Sequence, residues 1–276
     1  MADIRSVGII GLGLIGGSLA RDLAARGIRI HAFDRDPATL RAALAEGIAE
    51  AALDSSLETL DRMDAAVLAV PLSSAIDILE HAAQHMARVP LITDVSSTKQ
   101  TITQVAMRLG LDHRFIGSHP LAGDHRSGWT AARGDLFRGA TVYLCPSPGS
   151  PPEPLAMLRE LWTGIGALPE IMDPATHDRL LAWTSHLPQA VATALARALA
   201  GAGIHPDRLG PGGRDMTRLA ASSPDVWTPV ALDNAVPLGA ALHRLEQELA
   251  ALRAALARGD HEATRHFFAT GRELPP

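Results

Sequence analysis

The sequence feature that most constrains this chain is GLGLIG, which runs from Gly11 to Gly16. An apolar run precedes it at residues 7–11, and helical spacing follows at residues 14–26. Glycines at this spacing allow a tight turn, a close approach of the backbone to a pyrophosphate, and close packing of helix on strand. The amino end of the helix offers N–H groups and a positive dipole end to phosphate. The motif predicts a dinucleotide site formed by Gly11, Gly13, Leu14, Ile15 and Gly16; a glycine turn that binds nothing is the alternative.

An acidic residue lies where the second strand of such a unit ends. The apolar run 28–33 is followed by Asp34, eighteen residues after Gly16. A carboxylate at this place accepts hydrogen bonds from the adenosine ribose hydroxyls. Because a carboxylate repels the 2′-phosphate of NADP, Asp34 favours NAD, while the neighbouring Arg35 leaves NADP possible.

Strand-like and helix-like segments alternate over the first half of the chain. Short apolar runs at 65–70 and 90–95 are each followed by helical spacing, at 73–87 and 98–109. This rhythm is typical of a parallel sheet with helices on both faces. We therefore predict an α/β Rossmann-type, doubly wound parallel sheet. Ligands bind beyond the carboxyl ends of such strands, so the cofactor is also expected to contact Val70, Pro71 and Asp94.

The chain changes character near Asp173, which is a good N-cap for a helix. The long Ala/Leu-rich segments that follow are 175–200, 225–232 and 238–258. They carry almost no strand pattern, so we predict a dinucleotide-binding domain at 1–172 and an all-α domain at 173–276. These helices offer more apolar surface than one small bundle can bury, which favours a homodimer formed through the helical domain.

Composition argues against several classes of protein. Twenty-five Lys and Arg residues against thirty Asp and Glu give a net charge of −5, so nucleic acid is not expected as a partner. The single Cys145 excludes an internal disulfide and fits a reducing compartment. The Ala-rich stretch 190–202 is too short to span a bilayer and contains Arg197. Since the start of the chain has no signal-peptide pattern, we expect a cytoplasmic protein with no membrane partner.

A histidine stands out in the segment GSHPLAGDHRSG, residues 117–128. His119 follows strand-like residues and precedes Pro120, so it should lie at the carboxyl edge of a strand, in the crevice that holds the nicotinamide ring. Histidine titrates near neutral pH, which suits removal of a proton from a hydroxyl while hydride leaves the same carbon. The alternative is a hydrogen-bonded structural histidine.

Two further segments carry polar groups that admit two interpretations. TDVSSTK, residues 93–99, ends a strand at the ligand edge, but its polar side chains could equally form an N-cap cluster. In GGRDMTRLAASSPDVW, residues 212–227, a buried arginine between helices needs a partner, which carboxylates on a small substrate would supply. A salt bridge from Arg218 to Asp215 or Asp225 is the alternative. His81 and His85 lie one helical turn apart without a third ligand, so no metal is predicted.

Five segments, in order, resemble the prephenate/arogenate dehydrogenase family of tyrosine biosynthesis. They are GLGLIGGSLA, DVSSTK, GSHPLAG, SHLPQ (185–189) and RDMTRLAASSPDVW. The family acts on cyclohexadienols that carry a ring carboxylate and a side-chain carboxylate. The resemblance implies a dehydrogenase in which hydride passes to NAD as the ring loses carbon dioxide, and aromatisation makes the step downhill.

The resemblance also implies roles for particular residues. His119 accepts the proton of the C4 hydroxyl, Ser97 hydrogen-bonds near that hydroxyl and the nicotinamide, and Arg218 binds a substrate carboxylate. The helical domain is implied to be a dimerisation domain. The residues expected around the dicarboxylate substrate are Arg218, His186, Ser185, Gln189, Trp227, Arg214 and His125.

Three positions depart from the pattern of the family. His125 stands where many relatives place a glutamate that pairs with the substrate arginine. Gln189 stands where many prephenate-using relatives have a second histidine, and Gly213 where phenylalanine is common. The first two alter the charge around the side-chain end of the substrate, so prephenate, arogenate and 4-amino-4-deoxyprephenate all stay open. The sequence ends after the helical domain, so we expect no appended regulatory domain.

Two other classes of protein remain as alternatives. A β-hydroxyacid dehydrogenase or imine reductase would share the two-domain plan, but its lysine-dependent version needs a lysine in the helical domain, and none occurs after Lys99. A nucleotide-sensing protein without catalysis is the other. The presence of His119, Ser97 and Arg218 speaks against it, and an assay for NADH formation separates the two.

Overall fold

A computed structural model describes residues 4–123 and 126–273. Its first sheet has five parallel strands in the order β3–β2–β1–β4–β5. The strands are β1 (Ser6–Ile10), β2 (Arg29–Phe33), β3 (Ala51–Ala52), β4 (Ala65–Leu68) and β5 (Leu91–Asp94). Successive strands lie on opposite sides of β1, because β2 pairs with one edge of it and β4 with the other. A crevice therefore opens beyond the carboxyl ends of β1 and β4, where ligands bind in sheets of this kind.

Helices cover both faces of this sheet, which confirms the doubly wound α/β prediction. Alternate residues of β4 enter two separate buried clusters: Val67 packs in one and Leu68 in the other. The cluster around Val67 also contains side chains of α1 (Leu14–Ala24), α2 (Pro37–Ala45) and α5 (Pro152–Gly164). The cluster around Leu68 contains side chains of α3 (Leu72–Met86) and α4 (Gln100–Arg108).

A three-stranded sheet continues from β5. Its strands are β6 (Ile116–Pro120), β7 (Thr141–Pro146) and β8 (Leu168–Ile171), and a single bridge from Ile92 to Phe115 joins it to the first sheet. Strand β7 runs antiparallel to β6 and parallel to β8, so this sheet is mixed, unlike the first sheet. The described part of the β6–β7 connection contains only a short 3₁₀ turn at Trp129–Ala131, and a return without a crossover helix gives an antiparallel pair.

The remaining elements are helices, which confirms the all-helical character predicted for the second half. They are α6 (Pro174–Leu181), α7 (Leu187–Gly201), α8 (Pro211–Thr217), α9 (Pro224–Asp233), α10 (Ala235–Arg258) and α11 (His261–Thr270), with a π-helical turn at Ala182–His186 between α6 and α7. Of the helices described, none is long and apolar enough to cross a membrane.

Contacts divide the chain into two units. The first contains the residues up to Leu180 together with Ser222–Asp233, and the second contains Leu181–Ala221 with the residues from Asn234 onward. Most of α6 and all of α9 therefore group with the sheets, whereas we predicted one border, between residues 172 and 173. Asp173 accepts a hydrogen bond from the Thr176 backbone N–H at 2.9 Å, which is the N-cap predicted for it.

Candidate active site

The glycine turn after β1 has the geometry that a pyrophosphate requires. Gly11 has φ +95°, and a Cβ on it would lie 2.4 Å from the Ala69 carbonyl oxygen. A Cβ on Gly16 would lie 2.0 Å from the carbonyl oxygen of Gly11, so neither position tolerates a side chain. By contrast, a Cβ on Gly13 would meet nothing within 4 Å, so its backbone faces open space. Since no side chain caps the helix that begins at Leu14, its first N–H groups can bind phosphate.

Asp34 connects the end of β2 to this turn. One carboxylate oxygen accepts the Leu12 N–H at 2.7 Å and the other accepts the Asp36 N–H at 2.8 Å. A carboxylate offers about four acceptor sites, so these two bonds fix the side chain and still leave capacity for ribose hydroxyls. Arg35, beside it, is exposed.

A cavity of about 270 Å³ opens beyond the ends of β1, β4 and β5, within the first unit. A larger cavity of about 590 Å³ beside α5 is lined by none of the predicted site residues. We therefore take the smaller cavity as the candidate cofactor site. Ser96 contributes a buried hydroxyl without a hydrogen-bond partner, a group that a polar ligand would satisfy. The lining residues are Gly13, Leu14, Ile15, Ala69, Val70, Pro71, Leu72, Val95, Ser96, Ser97, Thr98, Asp225, Val226, Pro229 and Val230.

Asp94 does not line this cavity, and direct binding of the cofactor by its carboxylate does not fit its position. The side chain is fully buried and forms an ion pair with Lys99, which is equally buried. The same oxygen accepts the Ser96 N–H at 2.9 Å. The reason is that the residue ends an interior strand, so its side chain points into the protein. Asp94 thus holds the loop that carries Ser96 and Ser97.

His119 belongs to a line of three polar side chains in the first unit. Its Nδ1 lies 2.9 Å from Nε2 of His177, and Nδ1 of His177 lies 2.8 Å from Oδ1 of Asp178. His177 is fully buried and Asp178 nearly so, whereas His119 is half-buried. The edge of Tyr143, the cross-strand partner of His119, also packs against the His177 ring, with 5.5 Å between ring centroids.

The hydrogen bonds of Asp178 fix the tautomers of this line. Its Oδ1 accepts the Lys99 N–H and its Oδ2 accepts the Gln100 N–H, each at 2.8 Å, so the carboxylate acts only as an acceptor. When His177 is neutral, it donates from Nδ1 and accepts at Nε2, and His119 donates from Nδ1. The lone pair of a neutral His119 is then on Nε2.

Asp178 also caps helix α4, although it lies 79 residues after Lys99 in the sequence. The residue at the N-cap position, Lys99, makes no side-chain cap hydrogen bond, so a carboxylate from α6 replaces the local N-cap cluster considered for TDVSSTK. Sequence reasoning missed His177 and Asp178. The sequence shows only that a histidine and an aspartate are adjacent in a helix. It does not show that this pair contacts strand β6.

In the second unit, the π turn places the predicted substrate residues on the connection between α6 and α7. His186 is buried, and its Nδ1 lies 2.9 Å from Nδ2 of Asn234. Gln189 is also buried and donates to the Leu219 carbonyl oxygen at 2.8 Å, while its Oε1 has no partner. Ser185 is half-buried. Asn234 is a residue that the sequence reasoning did not select.

Arg214 and Arg218 are both exposed, whereas the sequence led us to expect a buried arginine. Arg218 is exposed at the start of a 3₁₀ turn, Arg218–Ala221, because this short segment lies at the surface of its unit. Within the part of the second unit that is described, no ion pair joins it to Asp215. Arg214 is also exposed and donates to the carbonyl oxygen of Leu209. Trp227 is half-buried on α9, the helix that contributes to the cavity, and His125 lies outside the described residues.

Within residues 4–123 and 126–273, no three His, Cys, Asp or Glu side chains come together as metal ligands would. The site offers instead a phosphate-binding turn, a ribose carboxylate, and a histidine whose basic nitrogen is set by hydrogen bonds. Together with the doubly wound sheet, these features are typical of an NAD-dependent oxidoreductase.

Comparison with known proteins identifies the family. The model described as "Prephenate dehydrogenase, nucleotide-binding domain" matches residues 19–170, and "Prephenate dehydrogenase, dimerization domain" matches residues 173–270. The chain belongs to the prephenate dehydrogenase family. It is 32% identical to the prephenate dehydrogenase of Bacillus subtilis, over 96% of this chain and 74% of that protein.

Two solved structures share its fold over nearly the whole chain. Synechocystis arogenate dehydrogenase is 30% identical with a TM-score of 0.84, and the match covers 97% of this chain and 98% of that one. Prephenate dehydrogenase from Aquifex aeolicus, in complex with hydroxyphenyl propionate and NAD⁺, is 27% identical with a TM-score of 0.89, over 98% and 97% of the two chains.

Proposed function

We propose that this protein catalyses the oxidative decarboxylation of a prephenate-type cyclohexadienol, prephenate or arogenate, to an aromatic product of tyrosine biosynthesis. The observation that carries the proposal is the line His119–His177–Asp178, in which a buried carboxylate and a buried imidazole orient the ring of His119. A nucleotide-sensing protein would need the glycine turn but would have no use for an oriented base. The family membership supports the same reaction.

The cofactor fits the glycine turn and Asp34, and when bound it supplies the hydride acceptor. His119 is the general base: Nε2 takes the proton of the C4 hydroxyl as hydride leaves the same carbon. The ring carboxylate departs as carbon dioxide, and its bonding electrons complete the aromatic ring and leave a phenolate at the C4 oxygen, which takes the proton back from His119. As His119 becomes positively charged, its Nδ1–H continues to donate to His177, whose own N–H is held by the carboxylate of Asp178. The buried carboxylate thus stabilises the charge that develops during the step.

Substrate recognition is assigned to Ser97 and to the polar residues that the resemblance to the family implies. Ser97, which lines the cavity, hydrogen-bonds the reacting hydroxyl. Arg218 binds a carboxylate of the substrate, because a guanidinium offers two parallel N–H groups to it. The proposed lining of the rest of the substrate site is His186, Ser185, Gln189, Trp227, Arg214 and His125.

The choice between the keto and amino side chains is the finer question. Relatives are named for each substrate, prephenate in Bacillus subtilis and arogenate in Synechocystis. The unpaired, buried Oε1 of Gln189 is an acceptor that an ammonium group would satisfy and a carbonyl would not, which favours the amino substrate at this position. An analogue such as 4-amino-4-deoxyprephenate is the second candidate. A cytoplasmic location stays a prediction, supported by the single cysteine.

Steady-state kinetics test the proposal. We expect NADH formation with prephenate or arogenate, and a loss of turnover of about 10²–10⁴-fold in His119→Asn, the usual contribution of a positioned base. NAD binding, measured by fluorescence, should be unchanged in this variant. Absence of NADH formation with every cyclohexadienol would reject the proposed reaction, and unchanged turnover in His119→Asn would reject the base.

A further inference from the structure

Lys99 is the only lysine of the chain; every other position counted among its Lys and Arg residues is an arginine. It is also fully buried. A charged group in the interior is costly unless it is paired and hydrogen-bonded. The ammonium of Lys99 therefore has a specific structural role, which its contacts identify.

The ammonium of Lys99 joins two strands. It forms an ion pair with Asp94, the last residue of β5, and donates to the carbonyl oxygen of Ser118 in β6 at 2.9 Å. That carbonyl belongs to the peptide bond that leads into His119. The neighbouring Gly117 leaves room for the stem of the lysine, because a Cβ there would lie 3.1 Å from Cδ of Lys99 and 3.4 Å from Oδ1 of Asp94.

The backbone of Lys99 reaches the same histidine by a second route. Its N–H donates to Oδ1 of Asp178 at 2.8 Å, and that oxygen also receives the Nδ1–H of His177. His177 in turn bonds to His119 at 2.9 Å. The side chain and the backbone of one residue therefore close a ring of hydrogen bonds that passes through both the main chain and the imidazole of His119.

We propose that Lys99 is a positioning residue for His119: its ammonium fixes the Ser118–His119 peptide while its backbone N–H fixes Asp178 and, through it, the His177 ring. This inference rests on the proposed role of His119 as the base. Two independent attachments restrain both the origin and the direction of the imidazole, and a misplacement of about 1 Å at a reacting group can lower the rate by about 10²-fold.

Arginine should not replace this lysine. The guanidinium is a planar fork, whereas the space between β5 and β6 accommodates a compact ammonium on a stem that packs against Gly117. The alternative is that Lys99 only neutralises Asp94 and stabilises the fold. A buried pair with that role can be exchanged for apolar residues of similar volume with little loss of function.

The discriminating variant is therefore Asp94→Asn/Lys99→Met, which removes both charges together and keeps an oxygen that can accept the Ser96 N–H, compared with Lys99→Arg and Lys99→Met. We expect the double variant to bind NAD within threefold of wild type and to lose about 10²-fold in kcat, with substrate KM within threefold. The matched control is Arg108→Met, which breaks an exposed ion pair with Glu80 near the other end of the same helix; it should keep full activity. A folded double variant with kcat within threefold of wild type would overturn the proposal.

A second measurement needs neither substrate nor a stable variant of Lys99. Labelling with [¹³Cε]lysine gives a protein with one lysine side-chain NMR signal. We expect this signal to shift in His177→Phe, which breaks the ring, and to stay in place in His113→Gln, which alters an exposed histidine. An unchanged signal in His177→Phe would contradict the ring. If wild type were inactive on every cyclohexadienol, the proposed function would fail while this result still reported on the ring.

Discussion

The orientation of the His119 ring depends on side chains from outside its own strand. His177 and Asp178 come from helix α6, and Asp178 is itself held by two N–H groups at the start of α4. In this arrangement a neutral His119 donates from Nδ1 and has its lone pair on Nε2, the atom that we propose as the base. Removal of His177 should therefore affect the chemical step more than the binding of either ligand.

In His177→Phe, the aromatic volume is kept and both hydrogen bonds are lost. We expect kcat to fall by about 10–10²-fold, because the imidazole of His119 is no longer held at its reactive angle. KM for NAD should stay within threefold. The control is His113→Gln, whose residue is exposed. A kcat equal to that of the control would show that the His119–His177 contact has no part in the reaction.

Arg218 carries the second prediction at this scale. Arg218→Ala should raise the substrate KM by about 30-fold, or about 2 kcal/mol, the lower end for a charge pair because this arginine is exposed. Arg218→Lys should restore only part of the loss, since an ammonium lacks the planar fork. Arg197→Ala, an exposed arginine on α7, is the control. Unchanged KM in Arg218→Ala would exclude it from carboxylate binding.

At the residue scale, the sequence predicts motifs that are contiguous and misses those assembled by tertiary contact. The glycine turn and Asp34 are local, since the spacing of strand, turn and strand already fixes their geometry. His177 lies 58 residues from His119, and no local periodicity indicates that contact. Arg218 is exposed where a buried arginine was predicted, and the burial of Asp94 was not predicted, because a charged residue in a motif does not show which way its side chain points.

At the scale of elements, the alternation of apolar runs predicts β1, β2, β4 and β5 to within a few residues, while the two-residue strand β3 (Ala51–Ala52) was not predicted. The antiparallel direction of β7 was not predicted, because strand composition does not encode direction. What encodes it is the connection: the described residues between β6 and β7 form only one short turn. A π-helical turn at Ala182–His186 overlaps the start of SHLPQ, and such turns are frequent at functional sites.

The turn between β1 and α1 sets the third prediction. Asp34→Asn keeps an oxygen that can accept the Leu12 N–H and removes the negative charge. We expect kcat/KM with NAD to fall by about tenfold relative to NADP, the effect of a charged hydrogen bond worth about 1.5 kcal/mol. Asp36→Asn, at the neighbouring N-cap of α2, is the control because asparagine caps as well as aspartate. An unaltered cofactor preference in Asp34→Asn would assign the choice to other residues.

At the scale of the molecule, the two units differ in how they bury apolar surface. Both extended hydrophobic clusters belong to the first unit. In the second unit, the buried apolar residues are few and mostly alanine, while large apolar side chains remain exposed. The exposed ones are Trp183, Ile204, Met216, Val236, Leu249, Leu256 and Phe268. Helices with so little apolar burial of their own need a further surface to pack against.

We predict that this surface belongs to a second copy of the chain, in agreement with the match of residues 173–270 to a dimerization domain. Light scattering at micromolar concentration should give twice the 29.1 kDa of one chain.

Leu249 and Leu256 lie seven residues apart and so share a face of α10, and both are more than half exposed. Leu249→Asp/Leu256→Asp should therefore shift the protein toward monomer and lower its melting temperature, since burying two carboxylates in an apolar interface is costly. Met107→Asp introduces the same charge at an exposed apolar residue of the first unit and should leave the mass unchanged. A monomeric wild type would reject the homodimer, and a double variant that stayed dimeric would move the interface away from this face of α10.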